Sequence, residues 1–441
     1  MSIRSSAPNP LIPSRMPEMK RNDVIVIGGG QAGLAMSRCL SASGVDHVVL
    51  ERGRIGERWR SERWDSLHLL TPNSHSALPG RPHAGADPDG FLAAAEFANY
   101  LVGYAVSIRA PVAEGVEVTA LETDGSRYRL ATSAGCWQAR AVIVATGACG
   151  VPFVPPMAER LPPSIQQILP RDYRSPDQIA SGGVLVVGAS STGLQLAEEI
   201  HASGRRAILS VGDHTRTPRR YRGHDIYACM DAAGILDDRA EDAWSLAAGH
   251  RQPSLQLVGR PDHRNLDLGI LQDQGVRLFG RLAAIDGHKL GFKDDLAETT
   301  ARSHERMLRV LDRIDAFVAE QGLERNYPAA PPIPRFFASS GPTELDLLRE
   351  GVRSVVWATG YVERYPWIRL PILNRQGEII HRLGVTAMPG IYVLGLTFQR
   401  RRRSHFIDGV GLDAEEIAGL VYRHLASDRR STVSMAREAI L

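Results

Sequence analysis

The stretch VIVIGGGQAGLAMSRCLSASGVDHVVLE, Val24 to Glu51, decides the fold. Four consecutive aliphatics, Val24 to Ile27, predict a buried parallel strand, because a strand covered on both faces needs no polar alternation. The loop that follows spells G-x-G-x-x-G with Gly28, Gly30 and Gly33. In that pattern the first glycine allows a tight turn and the second a close approach of backbone to a pyrophosphate. The third lets the next helix pack on the strand. The helix starting near Gln31 and Ala32 aims its free amides and positive dipole end at that pyrophosphate. A second strand, His47 to Leu50, ends on Glu51, placed to accept a hydrogen bond from a ribose hydroxyl. Strand, glycine loop, helix, strand and acid in register predict a dinucleotide-binding unit.

A second such unit begins at Val184. Val184 to Val187 is the strand, GASSTG (Gly188 to Gly193) the loop, Leu194 to His201 the helix and Ala207 to Val211 the next strand. Ser190 stands where the middle glycine would be, and a serine can donate to phosphate. At the end of this strand stand Ser210, Val211 and Gly212 rather than a terminal acid. Asp213 follows, with His214, Arg216, Arg219, Arg220 and Arg222. Arginine forks match a ribose 2′-phosphate, so NADPH is expected here, and Asp213 leaves NADH open.

Two further buried strands, Ala141 to Ala145 and Ser354 to Ala358, each end in an ATG turn: Ala145-Thr146-Gly147 and Ala358-Thr359-Gly360. The fold class that follows is α/β, with two Rossmann-like dinucleotide-binding units, the second inserted into the first. The expected domains are a disordered tail over residues 1–21, a first unit over 22–160, a second unit with a helical insertion over 161–345, and a return to the first unit over 346–441. Helices are expected over Phe91–Val106, Asp231–His250 and Leu296–Gly322. A last helix is expected with Asp413 as its N-cap. The rigid loop Tyr327–Phe337 is a candidate wall of a substrate pocket.

A net charge of +3 on 441 residues gives no reason to expect nucleic acid or a membrane surface. No apolar run is long enough to span a bilayer. Four scattered cysteines without a C-x-x-C suit a reducing, cytoplasmic setting and exclude a redox dithiol; no metal site is expected. A homodimer would be a common state for such a chain.

On GGGQAG, VVLERGRIGERW, WDSLHLLTP, VIVATG, the YRSP preceding VLVVGASSTG, and VVWATGY, the chain from Asn22 onward resembles the class B flavin-containing monooxygenases. These are flavoproteins with two dinucleotide-binding domains. The resemblance implies FAD on Gly28, Gly30, Gly33, Glu51, Arg52, Trp59 and Thr146, with Gln31, Ala32, Arg58, Leu70 and Thr71 beside them. It implies the nicotinamide cofactor on Gly188, Ser190, Ser191, Thr192 and Gly193. Further cofactor contacts are expected from Ala145, Gly147, Arg216, Ala358, Thr359, Gly360 and Asp408.

The family's F-x-G-x-x-x-H-x-x-x-Y pattern is kept only at Tyr173, with Leu169 at the histidine position. That histidine is expected to help place the nicotinamide. His405 and Arg403, just before FIDGVG, are the candidates for polarising substrate or handling a proton. The activity implied is transfer of hydride from NADPH to FAD, then use of molecular oxygen to oxygenate a small organic substrate. Two alternatives are an NAD(P)H oxidase or reductase that stabilises no oxygenated flavin, and a redox-responsive binding protein whose run Arg400 to Arg403 meets an anionic partner.

Overall fold

The computed structural model describes residues 19–82, 85–240, 255–330, 332–336 and 338–438, with side chains up to residue 427. The first unit opens with β1 (Val24–Ile27), α1 (Gln31–Ala42) and β2 (His47–Leu50), and continues to β3 (Ala141–Val144). The second holds β4 (Gly183–Val187), α2 (Ser191–Ala202), β5 (Ala207–Ser210), the long α3 (Leu296–Glu320) and β6 (Val352–Trp357). The chain then supplies β7 (Ile391–Val393) and α4 (Val410–Glu438).

Strands β7, β3, β1 and β2 are neighbours in one parallel array, with Val24 opposite both His47 and Ala141. Gln166–Ile168, β6, β4, β5 and Arg277–Phe279 form a second, all-parallel sheet. The first sheet draws strands from both sides of the second in sequence, so the second unit is inserted into the first, as expected.

Every residue of β1, β3 and β4 is buried, which is why these strands read as unbroken aliphatic runs. Each Val, Ile or Leu side chain among them contributes about 1.5–3 kcal/mol on burial. The apolar face of α1, through Leu34, Met36 and Leu40, packs with Val410, Ile417 and Val421 of α4. The C-terminal helix therefore closes the first unit's core.

Several expectations need correction. Lys20–Arg21, placed in the disordered tail, pair in parallel with Trp137 and Gln138; residues 1–18 lie outside the described chain. The return to the first unit was expected from residue 346, yet β6 pairs with β4 in the second sheet. A buried strand ending in ATG is needed once per unit, and this one completes the second. Of the helix expected over Asp231–His250, the described part holds only the end of a helix Ile226–Ala232, then the left-handed Gly234 (φ 69°) and a single turn Ile235–Asp237; residues 241–254 lie outside the described chain. Asp225 caps that helix by accepting from the Tyr227 amide. Asp413 is not an N-cap: α4 starts at Val410, and Asp413 is drawn inward to Arg401 at 3.0 Å. The helix expected from Phe91 begins at Ala94, where Glu96 reaches back to the Ala93 amide at 2.7 Å.

Candidate functional site

Both glycine loops and both ATG turns open onto one cleft of about 1370 Å³. That exceeds the roughly 300–1,000 Å³ of a drug-sized pocket. In the first loop, a Cβ on Gly28 would stand 2.6 Å from the Ala145 carbonyl oxygen, and one on Gly33 only 1.8 Å from the Gly28 carbonyl oxygen. These two glycines are required by packing of strand, turn and helix, and Gly33 does not face the cleft. A Cβ on Gly30 would meet no protein atom within 4 Å. Gly30 thus leaves an open cradle at the start of α1, the shape a pyrophosphate needs.

The Glu51 carboxylate accepts from the Gly29 amide at 2.6 Å and the Gly53 amide at 2.9 Å. Two backbone donors fix its direction and leave lone pairs for a ribose hydroxyl. Gln31, Ala32, Arg52, Leu70, Thr71, Thr146 and Gly147 line the same wall, as do Arg58 and Trp59. Arg58 donates to the Cys149 carbonyl at 2.9 Å, and the Trp59 ring meets Phe97 edge-on at 5.0 Å. Trp64 instead is buried among the second unit's apolar residues. It joins the two units.

The second loop repeats this geometry. A Cβ on Gly188 would lie 2.2 Å from the Ala358 carbonyl oxygen, and one on Gly193 1.8 Å from that of Gly188. Gly193 is therefore a packing glycine, like Gly33. Ser190, Thr192, Ala358, Thr359 and Gly360 face the cleft. Ser191 does too, but its hydroxyl is taken: it donates to the Leu255 carbonyl at 2.6 Å and accepts from the Leu257 amide at 3.2 Å. Only its backbone remains for a ligand.

The arginines expected to read a 2′-phosphate are elsewhere. Arg216 lies outside the cleft, paired with Asp267 (2.9 Å) and the Pro334 carbonyl (2.6 Å). Arg219 is fully buried and ties the Leu70 carbonyl of the first unit to Asp225 and Val258. Arg220 donates to the Gly223 carbonyl and Arg222 to Asp315. The cleft beyond β5 is formed instead by Gly212, Asp213 and Arg281. Asp213 is paired with Arg281 at 3.0 Å and with Arg302 at 3.4 Å. Arg281 follows a strand with no motif around it, so the sequence carried no signal for it.

Of the two catalytic candidates, His405 lines the cleft and Arg403 does not. Arg403 is held by Asp231 (2.8 Å), Asp237 and Asp408 (3.3 Å). Asp408, expected at a cofactor, also lies off the cleft, accepting from the Tyr227 hydroxyl at 2.8 Å. The whole run Arg400 to Arg403 is paired inward. Arg400 and Arg401 bind Glu416, Arg401 also binds Asp413, and Arg402 binds Asp238. It stitches α4 to the insertion, and offers no free patch to an anionic partner. The loop Tyr327–Phe337 contributes no described residue to the cleft; Tyr327 and Ile333 pack on the insertion's own core.

At the fingerprint position, Leu169 packs into the second unit's apolar core. Tyr173 is fully buried and donates to Glu199 at 3.1 Å, and Glu199 accepts from Ser66 of the first unit at 3.0 Å. The surviving tyrosine is thus a strut between the units. Sequence reasoning missed Glu363 and Tyr365, which follow the second ATG turn and line the cleft. Burial pushes the Glu363 carboxyl up to about 7, with Glu378 adding to it. Burial also holds the His405 imidazole down, to about 4, so that ring is neutral at physiological pH.

A family model described as pyridine nucleotide-disulphide oxidoreductase matches residues 25–224. The chain is 31% identical to an uncharacterized CzcO-like oxidoreductase of Geobacillus kaustophilus, over 91% of this chain and 99% of that protein. It is 27% identical to the indole-3-pyruvate monooxygenase YUCCA4 of Oryza sativa, over 91% of this chain and 87% of that one. Among solved structures, a flavin-containing monooxygenase from Stenotrophomonas maltophilia superposes with a TM-score of 0.64 at 22% identity, covering 92% and 99% of the two chains. A bacillithiol disulfide reductase from Bacillus cereus gives 0.56 at 14% identity, covering 92% and 100%.

Proposed function

The chain belongs to the flavin-monooxygenase-like oxidoreductases, in the family of the CzcO-like oxidoreductases, and from that premise we propose that it holds FAD on its first glycine loop and NADPH on its second, and oxygenates a small organic molecule. One observation carries this reading: both loops, with their paired ATG turns, face one cleft large enough for two dinucleotides. FAD, when bound, supplies the redox chemistry, accepting hydride from the nicotinamide and passing electrons to oxygen.

The protein's part is to bind, orient and exclude water. The α1 amides and the Gly30 cradle receive the pyrophosphate, and Glu51 a ribose hydroxyl. Gly395 and Val410 bring the start of α4 to the cleft, where its positive end favours negative charge. Leu69, Leu70, Phe398 and Ile407 keep this region apolar. His405 is the one imidazole among the described cleft residues, and it can hold a hydrogen bond or a proton at a ring nitrogen. For the nicotinamide, Arg281 replaces Arg216 as the group that meets a 2′-phosphate, with Asp213 accepting a ribose hydroxyl when NADH binds.

A second reading, an NAD(P)H oxidase or reductase, is favoured by Leu169, which leaves the fingerprint position without an imidazole. The two separate on the hydrogen peroxide released per NADPH consumed, measured with panels of amines, sulfides and ketones. Oxygenation predicts that a substrate lowers this ratio far below one and gains one oxygen atom. A ratio fixed at one with every class would instead establish the oxidase.

A further inference from the structure

A second cavity, of about 580 Å³, shares no residue with the cleft. Its size falls within the roughly 300–1,000 Å³ of small-molecule sites. It lies where α1 and the helix Ala94–Ser107 end, and the loop at Gly80 and Arg81 also lines it. Arg38 and Ser41 reach it from one face of α1, as residues three apart on a helix do.

Two guanidiniums line this cavity, and the backbone makes room for both. Gly80 is left-handed (φ 75°), and a Cβ there would stand 2.5 Å from Arg38 Nη2. A Cβ on Gly103 would stand 3.0 Å from Arg81 Nη1, while the Arg81 guanidinium lies over the Tyr100 ring at 5.2 Å. Among the described residues neither guanidinium has an acid or a carbonyl as partner. Glu415 of α4 acts on the Cys39 thiol, as Arg38 does, but pairs with neither. Elsewhere in the chain Arg216, Arg219, Arg401 and Arg403 are each tied to a carboxylate.

Capping of the two helices does not explain the pair. The carbonyls of Cys39 to Ser41 and of Tyr104 to Val106 already accept from backbone amides. The Tyr104 and Ser107 hydroxyls are also spent, on the carbonyls of Pro79 (2.9 Å) and Tyr104 (2.7 Å). Arg38, Arg81 and the Ser41 hydroxyl remain as donors. Two like charges in one cavity repel each other unless an anion is shared between them.

We propose that this cavity is an anion site that takes the phosphate group of a small molecule. Two guanidinium forks and one hydroxyl match three oxygens of a tetrahedral phosphate, whereas a carboxylate offers only two. The site sits toward the opposite end of α1 from the Gly30 cradle, so it is separate from the dinucleotides proposed for the cleft.

The test is calorimetric titration of the purified chain with inorganic phosphate, glycerol 3-phosphate and acetate, with NADP⁺ saturating so that the cleft is filled. One site should bind both phosphates, and acetate about tenfold more weakly. Tighter binding of the ester identifies a phosphorylated small molecule as the ligand, and tighter binding of inorganic phosphate identifies the free ion. Arg38→Gln and Arg81→Gln should each weaken phosphate binding by about tenfold, and Arg38→Lys should recover part of the loss. Ser41→Ala, at an exposed position, is the mild variant and should cost about fivefold. Phosphate should also raise the Tm of the wild type and leave that of Arg38→Gln unchanged. Absence of phosphate binding, acetate binding as tightly as phosphate, or phosphate affinity untouched by Arg38→Gln and Arg81→Gln would overturn the proposal. Two arginines with a merely structural role would lower Tm equally with and without phosphate, which also refutes it.

Discussion

The two glycine loops are built on one plan and differ most tellingly at the middle glycine position and at one strand end. In each, the first and last glycines are demanded by backbone packing, with the neighbouring ATG carbonyl pressed against the first. In the first loop the middle position is an open glycine, and Glu51 is clamped by two amides. In the second the middle position is Ser190. Its strand ends on Ser210, whose hydroxyl turns inward to the Gly280 carbonyl. The first loop thus leaves its backbone open to close approach by a ligand. The second has a side chain in the cradle and its charge at an exposed rim. Packing fixes what the loops share; the difference lies in what each presents to the cleft.

The largest expected effect breaks this comparison at its centre. Gly30→Val places a branched side chain in the cradle and should yield folded protein with almost no FAD, read as loss of the yellow colour at unchanged circular dichroism. Its counterpart, Ser190→Val, should keep FAD and raise the NADPH concentration for half-maximal flavin reduction by about tenfold, a loss expected for one charge-assisted hydrogen bond. Equal FAD loss in both variants would show that the loops do not divide the cofactors.

The next sharpens the strand ends. Arg281→Ala should raise the KM for NADPH about tenfold and that for NADH by less than about twofold. Arg216→Ala should change both KM values alike and lower Tm, because it breaks the pair with Asp267. If Arg216 alone discriminates the two cofactors, the assignment at Arg281 fails.

How much of this was legible in sequence follows from the range of the interactions. The strands and loops at Val24–Glu51 and Val184–Gly193 are written locally, in aliphatic runs and glycine spacing, and they were found. The partners of Arg216, Arg219 and Arg403 are distant in the chain, at Asp267, Leu70 and Asp231. A run of arginines looks alike on paper whether it faces solvent, a phosphate or a buried carboxylate. For the same reason Ser354–Ala358 was recognised as a buried strand but given to the wrong sheet, since sheet membership is a tertiary fact. Glu363, three residues after the second ATG turn, could have been noticed from that position.

Glu363 gives the smallest expected effect. Its carboxyl sits at about 7 in the folded protein against an ordinary 4.5. The folded state therefore keeps its proton longer than the unfolded chain, and stability falls as pH rises through that window. Glu363→Gln should raise Tm by about 2 °C near pH 8, where the wild type carries a buried charge, and by almost nothing near pH 4. An equal gain at both pH values would remove the buried-carboxyl explanation.

The most direct test of the account is the flavin content of the purified chain together with its anaerobic response to NADPH. The account predicts one FAD per chain, released on heating, whose visible band is bleached by NADPH, while Gly30→Val shows neither. Folded protein that takes up no FAD, or a bound flavin that neither NADPH nor NADH bleaches, would contradict the assignment of the two loops to two cofactors in one cleft.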